Sequence, residues 1–206
     1  MYIPKHFAEP SAEAIVDNVA AHEFALLVTS DGAGIEATHL PLHFEPGHGL
    51  QGRLIGHLAR ANPQARVLDG RNVMAVFSGP HGYVSPRWYA DAPAVPTWNY
   101  VAVHFYGTAR TIEDPVRLRE ILLSLTRRYE TDGSWSMEKL PPQYLDGMLR
   151  CIVGVEIDVT RIDAKFKLSQ NRSAEDRRRV VAALRADGRA GDIALAEAMQ
   201  RVTKQD

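Results

Sequence analysis

Three things are scarce in this 206-residue chain, namely cysteine, long apolar runs and an excess of charge of one sign. Cys151 is the single cysteine, which excludes an intrachain disulfide and any metal site built from several thiolates. No apolar stretch approaches the roughly 20 residues that a membrane span needs, and the first residues do not resemble a signal peptide. The formal charge of −1 gives no general electrostatic reason to bind nucleic acid. We therefore expect a cytoplasmic, globular protein that does not enter a membrane.

The common catalytic signatures are also missing. The chain has no Gly-x-Ser-x-Gly elbow, no glycine-rich dinucleotide or phosphate loop, and no evident acid–base pair. His39 and His43 would be about 13 Å apart on a strand, too far to bind one ion, so no metal site is predicted. Cys151 lies in an alternating apolar run predicted to be a strand and is interpreted as a buried core thiol. The residues alone leave catalysis unassigned.

Alternating apolar residues predict several strands, and capping signals predict helices near the ends and in one insertion. Strands are expected at 24–29, 40–44, 50–58, 73–77, around 101–105 and at 151–159, with a turn at 30–32. Pro41 suggests that its strand lies at an edge or carries a bulge. The pattern favours one α+β domain over residues 1–206 with an antiparallel barrel or sheet. Residues 173–206 are expected to form a C-terminal helical segment on or beside the barrel.

Helix starts are predicted where a capping residue precedes proline or an acidic residue. Ser11 begins a helix whose apolar side includes Phe24, and Asn62-Pro63 begins a short helix to Asp69. Asp114-Pro115 and Ser173-x-x-Asp176 begin two more. The residues expected in the core include Leu26, Val28, Val76, Val103 and Ile152.

Residues 77–100 form the most unusual segment. They contain two of the three tryptophans, three of the seven tyrosines and four of the twelve prolines. Such a segment suits the wall of a pocket for a planar, partly polar ligand. A rigid loop packed over one end of the barrel explains the same composition equally well.

Three polar stretches could complete a pocket of this kind. The run 56–63 ends at a predicted helix start, where backbone amides and Arg60 could hold a phosphate. Thr38 and His39 lie on the polar side of their strand, and 167–172 is dense in hydrogen-bond donors. Each also has a structural explanation, as a solvated loop residue, a solvent-facing strand surface or a helix cap.

The last 46 residues are basic within a nearly neutral chain. Residues 161–206 hold 11 lysines and arginines against 7 acidic residues, with Arg177-Arg178-Arg179 as the densest run. This run could contact a phosphate backbone, but a solvated helix face with local ion pairs is the favoured interpretation. No helix-turn-helix signature is evident.

Several of these motifs, in this order, resemble the PaiB family of FMN-binding negative transcriptional regulators. The resemblance runs nearly end to end, from Met1-Tyr2-Ile3-Pro4 through Thr38-His39-Leu40-Pro41-Leu42 to Lys167-Leu168-Ser169-Gln170-Asn171-Arg172. It also includes the run from Gly56 to Gln64 and the segment Val95-Pro96-Thr97-Trp98-Asn99-Tyr100.

The resemblance implies an antiparallel split β-barrel of the FMN-binding, pyridoxine-phosphate-oxidase-like kind with peripheral helices. It implies a homodimer that binds FMN at the subunit interface. The implied cofactor residues are Thr38, His39, Leu40 and Pro41 on one strand; His57, Arg60 and Asn62 near the phosphate; Phe77, Ser78 and Gly79 beside the ring; and Trp98, Asn99, Lys167, Gln170, Asn171 and Arg172 closing the site. Pyridoxine-phosphate-oxidising relatives carry a basic residue where this chain has Thr38 or His39, so phosphate affinity is expected to be weaker.

Alternatives to the regulator stay open at this point. One is a flavin-dependent NAD(P)H oxidoreductase without a direct role on DNA. Another is direct operator binding through the basic C-terminal helix, so that DNA would join a second copy of the chain and flavin as a partner. A third is a barrel that holds haem, with His39, His57 or His81 as ligands.

Overall fold

The computed structural model describes residues 1–9, 11–30, 32, 34–90 and 93–203. Within these residues the strands are β1 (Phe24–Ser30), β2 (Ile35–Glu45), β3 (Arg53–Ala59), β4 (Asn72–Val84), β5 (Thr97–Ile112) and β6 (Ile152–Lys167). The α-helices are α1 (Ala12–Ala21), α2 (Pro115–Thr126), α3 (Pro142–Arg150), α4 (Ala174–Asp187) and α5 (Ala190–Thr203). No helix in these ranges is long and apolar enough to cross a bilayer.

The six strands form a closed antiparallel barrel in the order β1-β2-β3-β6-β5-β4. Strand β2 pairs with β1 through residues 35–41 and with β3 through residues 42–45. Pro41, which has no amide hydrogen, stands where the pairing passes from one neighbour to the other. The predicted α+β fold with an antiparallel barrel is confirmed, but β2 is flanked on both sides and is not an edge strand.

The chain divides into two compact units. One unit contains residues 19–77 and 104–162, which include all of β1, β2 and β3 and helices α2 and α3. We call it the barrel unit. The other contains residues 1–18, 78–103 and 163–206, with α4 and α5; we call it the terminal unit. The sequence-based prediction of one domain stays a prediction, and residues 204–206 of the predicted C-terminal segment lie outside the described residues.

Local capping explains where the helices begin. The Asp114 carboxylate accepts a hydrogen bond from the Arg117 amide at 2.9 Å, and Pro115 follows at the first helical position of α2. The Ser173 hydroxyl likewise accepts from the Asp176 amide at 3.1 Å at the start of α4. Helix α4 ends at Asp187, and Gly188, whose φ is 69°, forms the left-handed cap that follows it. Helix α5 follows after Arg189, within the predicted C-terminal helical segment, although no separate helix start was predicted there.

The barrel interior is filled by alternate strand residues. Ala25, Leu27, Ala75 and Phe77 are fully buried, and the Phe77 ring meets the Phe105 ring edge-on at 5.3 Å between centroids. Of the five predicted core residues, only Val103 is fully buried. The other four are partly buried: Leu26, Val28, Val76 and Ile152. Strands β1 and β4 therefore present to the interior the opposite face from the one predicted.

Two boundary predictions were wrong because irregular backbone replaces the expected element. The strand predicted from Leu50 begins only at Arg53, and Leu50 is fully exposed in the preceding turn. The helix predicted from Asn62 to Asp69 is a single 3₁₀ turn over Pro63–Arg66. The predicted turn at 30–32 includes Asp31, which lies outside the described residues.

Two side chains predicted to be buried are exposed. Phe24 starts β1, as the predicted strand 24–29 has it, but it does not face the core: its side chain is 67% exposed and stacks on His39. Cys151 caps the C-terminus of α3 and is exposed, because β6 begins one residue later than the alternation suggested.

Much of the proline- and glycine-rich segment is strand instead of loop. Residues 78–84 continue β4 and residues 97–100 begin β5, and a 3₁₀ turn spans Pro86–Trp88. Residues 91 and 92 of the segment lie outside the described residues. Gly79 permits the continuation, since a Cβ there would lie 2.7 Å from Asn18 Oδ1 and 2.9 Å from Val101 Cβ.

Candidate functional site

In the barrel unit, Asn62 links two of the predicted cofactor segments. Its amide nitrogen donates to Thr38 Oγ1 at 2.9 Å, and its amide oxygen accepts from the Gln64 backbone at 2.9 Å. The first bond ties the turn after β3 to β2, and the second caps the 3₁₀ turn at Pro63–Arg66. Thr38 and Asn62 are thus brought together, and their role in binding the cofactor stays a prediction.

Gln64 is the polar residue that the sequence analysis did not select. Its side chain is fully buried, and its amide nitrogen donates to Leu27 O at 3.1 Å, Thr29 Oγ1 at 3.2 Å and Glu36 O at 3.4 Å. These bonds join the 3₁₀ turn to β1 and β2. Its place directly after the Asn62-Pro63 cap was the signal that could have identified it.

Arg60 is held by the protein. Its guanidinium donates to Arg150 O at 2.9 Å, to Ile152 O at 3.1 Å and to the Glu113 carboxylate at 2.8 Å. The pair with Glu113 is exposed, so it is weak and open to exchange. A phosphate at Arg60 would therefore compete with Glu113, and this role for Arg60 stays a prediction.

The remaining predicted residues of the barrel unit differ in what they can offer. His57 on β3 is half-buried, and this burial lowers its pKa, which favours the neutral imidazole. His39 is exposed and stacks on Phe24 at 5.7 Å with an interplanar angle of 15°. The side chains of Leu40 and Phe77 point into the core, so these two residues offer a ligand only their backbone. Among the described residues no group of three or more His, Cys, Asp or Glu side chains could hold a metal ion.

In the terminal unit, Asn99 and Ser169 form a buried pair. Asn99 Nδ2 donates to Ser169 Oγ at 2.9 Å. Asn99 Oδ1 is buried and has no hydrogen-bond partner among the described atoms. Ser169 has a φ of 66°, the single positive value at a non-glycine residue in the described part of the chain. An unsatisfied buried acceptor beside a strained backbone is typical of a site shaped for a ligand.

The turn that follows β6 is stabilised by its own side chains. Gln170 Oε1 accepts from the Leu168 backbone at 2.8 Å, and its amide nitrogen donates to Phe166 O at 2.5 Å. The Arg172 guanidinium lies 4.4 Å from the centre of the Tyr89 ring, a cation–π contact. Asn171 is exposed. Gln170 and Arg172 therefore support the turn, and Asn171 is the side chain of the three that faces solvent.

Lys167 and Trp98 complete this group. Lys167 Nζ donates to Thr97 Oγ1 and to Trp98 O, the latter at 2.7 Å. Burial, and to a lesser degree the charge of Lys165, lowers the pKa of Lys167. The Trp98 ring is 55% exposed and meets the Tyr83 ring edge-on at 6.2 Å. The terminal unit thus offers an exposed aromatic surface, a cation and an unsatisfied acceptor.

Sequence comparisons establish the family. The sequence profile of the family described as "Putative FMN-binding domain" matches residues 1–161. The protein named "Protease synthase and sporulation protein PAI 2" of Bacillus subtilis (strain 168) is 38% identical over 208 aligned residues, covering 100% of this chain and 99% of its own. This chain belongs to the PaiB family of FMN-binding proteins. Its cofactor is FMN, as predicted.

Solved structures confirm the fold of this PaiB-family chain. The flavocytochrome Anf3 from Azotobacter vinelandii matches with a TM-score of 0.65 at 17% identity, over 85% of this chain and 77% of that one. The FAD and haem binding protein from Mycobacterium smegmatis matches with a TM-score of 0.61 at 16% identity, over 85% of this chain and 78% of that one. At these identities the likeness extends to the fold alone.

Proposed function

We propose that this chain is a homodimeric regulator of the PaiB type that binds FMN at the subunit interface. The observation that carries the proposal is an apolar outer surface on β1, β2 and β4, on which the predicted flavin strand also lies. We call it the outer apolar face. It consists of Phe24, Leu26, Val28 and Ser30 on β1, Ile35, Ala37, His39 and Pro41 on β2, and Met74 and Val76 on β4.

Strand register places these side chains in rows on one side of the barrel. Leu26 pairs with both His39 and Val76, and in the next row Val28 pairs with Ala37 and Met74. At the end of the strands Ile35 is 76% exposed. Residues directly opposite each other in antiparallel strands have side chains on the same face, so the rows form one continuous surface.

A second copy of the chain is the occupant that suits this face. None of its ten side chains is an acid, a lysine or an arginine, so two copies meeting about a two-fold axis would bring no like charges together. Large exposed apolar side chains grouped on one surface are typical of protein interfaces. Because His39 and Pro41 belong to the face, a second copy there would also cover part of the flavin strand.

Each of the two units, taken by itself, offers groups that suit FMN. On the barrel unit, Thr38 and Asn62 offer polar groups, the neutral His57 offers one ring donor and one acceptor, and Arg60 offers a charge that Glu113 must release. On the terminal unit, the buried oxygen Asn99 Oδ1 lacks a donor, which the ring N–H of a flavin would supply. The exposed Trp98 ring offers a flat surface, and Lys167 a cation. FMN itself would supply reversible electron transfer.

The regulatory role is proposed from the full-length relative, whose name refers to protease synthesis and sporulation. Arg178 and Arg179 are exposed on α4. If the protein contacts DNA directly, in the cytoplasm, these two side chains would make the contact. We propose that occupancy of the flavin site is the quantity that the protein senses.

The test measures solution mass and FMN binding together. The purified full chain is examined by sedimentation equilibrium and titrated with FMN by fluorescence quenching. Ile35→Glu and Val28→Glu place a charge on the outer apolar face, and Val116→Glu does so at an exposed valine on α2 outside it. We expect a dimer that becomes monomeric and loses at least about tenfold in FMN affinity with either face variant, because a buried unpaired charge is costly.

Val116→Glu should change neither the mass nor the affinity. A wild-type monomer that binds FMN tightly would refute the interface site, and so would a dimer that survives both face substitutions. Steady oxidation of NADH or NADPH by the FMN-loaded dimer would instead support the oxidoreductase.

A further inference from the structure

Two lysines on one face of β6, in the terminal unit, have no carboxylate partner among the residues that the structure describes. Lys165 is only 8% exposed, and its Nζ donates to Tyr2 O at 3.1 Å. The same nitrogen lies 5.6 Å from the centre of the Tyr2 ring and 5.3 Å from that of Tyr100. Lys167 is two residues further along the strand, so its side chain leaves the same face about 7 Å away.

The ammonium groups of Lys165 and Lys167 are surrounded by aromatic rings and carbonyl oxygens, whereas a buried lysine usually has an acidic partner. Lys167 Nζ lies 5.9 Å from the centre of the Phe7 ring and donates to Trp98 O. The nearest acidic residue on the same face, Asp163, is paired with the amino group of Met1 at 2.6 Å. Within the described residues, neither lysine forms an ion pair with an acid.

Such an arrangement is costly unless an anion completes it. Burying an ammonium group without a counter-charge is strongly unfavourable, and cation–π contacts offset only a part of that cost. The two positive charges also repel each other, and the lowered pKa of Lys167 has burial and the charge of Lys165 as its causes. A bound anion would relieve both effects.

We propose that Lys165 and Lys167 form a subsite for a small oxyanion, the phosphate or carboxylate group of a small molecule. The hydrogen bonds to Tyr2 O, Thr97 Oγ1 and Trp98 O use one N–H of Lys165 and two of Lys167, which leaves donors for the oxygens of such a group. The Tyr2 side chain is 82% exposed, so an anion can approach Lys165 from that side. The subsite does not rest on the proposed dimer or regulator.

The experiment uses the flavin-free full chain and inorganic phosphate, with acetate as the carboxylate probe. Binding is measured by calorimetry for the wild type, Lys165→Met and Lys167→Met, with Lys5→Met as a matched control at an exposed lysine of the same unit. We expect saturable binding that falls at least about tenfold in each subsite variant, as charge-assisted hydrogen bonds are lost. The control should stay within about twofold of the wild type, since exposed charges contribute little.

Two further measurements separate binding from a structural role. Lys165→Arg and Lys167→Arg keep the charge and should retain binding, which keeps the test valid if a methionine variant fails to fold. Phosphate should also raise the pKa of Lys167, observed through the ¹³C resonances of dimethylated lysines. The resonance of dimethylated Lys5 should not change when phosphate is added.

Competition identifies the molecule that carries the anion. If saturating FMN abolishes phosphate binding while riboflavin does not, the anion is the flavin's own phosphate. If phosphate binds equally well with and without FMN, the anion belongs to a second molecule. Either result supports the subsite.

Three results would overturn it. The first is the absence of saturable binding of both phosphate and acetate, and the second is binding that is unchanged in the methionine variants. The third is a dimer that dissociates in Lys165→Met, because the counter-charge would then come from the second copy. Failure of FMN to bind in the experiment on the outer apolar face would leave the phosphate and acetate titrations unaffected, because they use the flavin-free chain.

Discussion

Replacing Gln64 tests whether one buried amide holds the 3₁₀ turn to β1 and β2. Gln64→Leu removes the donor from Leu27 O and Thr29 Oγ1, at 3.1 and 3.2 Å, and from the weaker contact with Glu36 O at 3.4 Å. At about 1 kcal/mol for each of the two good buried hydrogen bonds, the free energy of unfolding should fall by about 2 kcal/mol. For a chain of this length that corresponds to a decrease of about 4–8 °C in Tm.

Gln64→Glu adds a signature in pH that a cavity or packing defect would lack. The Thr29 hydroxyl can rotate to donate to a carboxylate, but the two carbonyls cannot, so the folded state should raise the pKa of the introduced acid above its unfolded value of about 4.3. The penalty should be absent below about pH 4.3 and grow as the pH rises towards the folded pKa, by about 1.4 kcal/mol per pH unit.

The measurement is urea unfolding followed by circular dichroism at fixed protein concentration, from pH 4.5 to 8. Gln143→Glu, at an exposed position on α3, is the control for adding a charge and should stay within about 0.5 kcal/mol of the wild type. The reasoning is refuted if Gln64→Leu unfolds at the wild-type urea concentration. It is equally refuted if the difference between the two Glu variants does not change with pH.

Two further predictions concern packing and protonation in the barrel unit. Gly107→Ala should lower the free energy of unfolding by about 1–3 kcal/mol, because a Cβ there would lie 2.2 Å from Asp158 O. The control is Gly147→Ala in α3, where the nearest atom to the added Cβ is 3.9 Å away, and it should raise the free energy of unfolding slightly in the same urea titration. Equal effects of the two substitutions would contradict the packing argument. His57 should titrate by NMR with a pKa below 6.5 because of its burial. The unfolded chain then takes up this proton first, so stability should fall as the pH drops below about 6.5, and His57→Asn should remove that part of the pH dependence; a midpoint at or above 6.5 would contradict it.

Local signals were sufficient where the physical cause is local. The caps at Asn62, Asp114 and Ser173 were predicted and are present, because a capping side chain bonds to a backbone amide only two or three residues away. The strands were also found, since alternation needs only a few consecutive residues. Their boundaries were less accurate, as at Leu50 and Cys151.

Which residues of β1 and β4 face the barrel interior could not be predicted from local signals. Leu26, Val28 and Val76 were predicted to be core residues, yet the interior takes Ala25, Leu27 and the other alternate residues of β1 and β4. Because both faces of these strands are apolar, period-two alternation does not distinguish them. Closure of the barrel decides which face is inside, and the other becomes the outer apolar face.

For the candidate site, too, some properties follow from the sequence and others only from the tertiary structure. By itself the sequence determined the family and the cofactor, because the motifs are long and occur in order. The segments that it assigns to the cofactor stay a prediction. Only the tertiary structure decided what each side chain does. Arg60 bonds to Glu113, 53 residues away, and Asn99 to Ser169, 70 residues away. Such partners meet only when the barrel and the terminal unit have formed, since contacts between distant residues depend on the whole fold and leave no trace in local spacing.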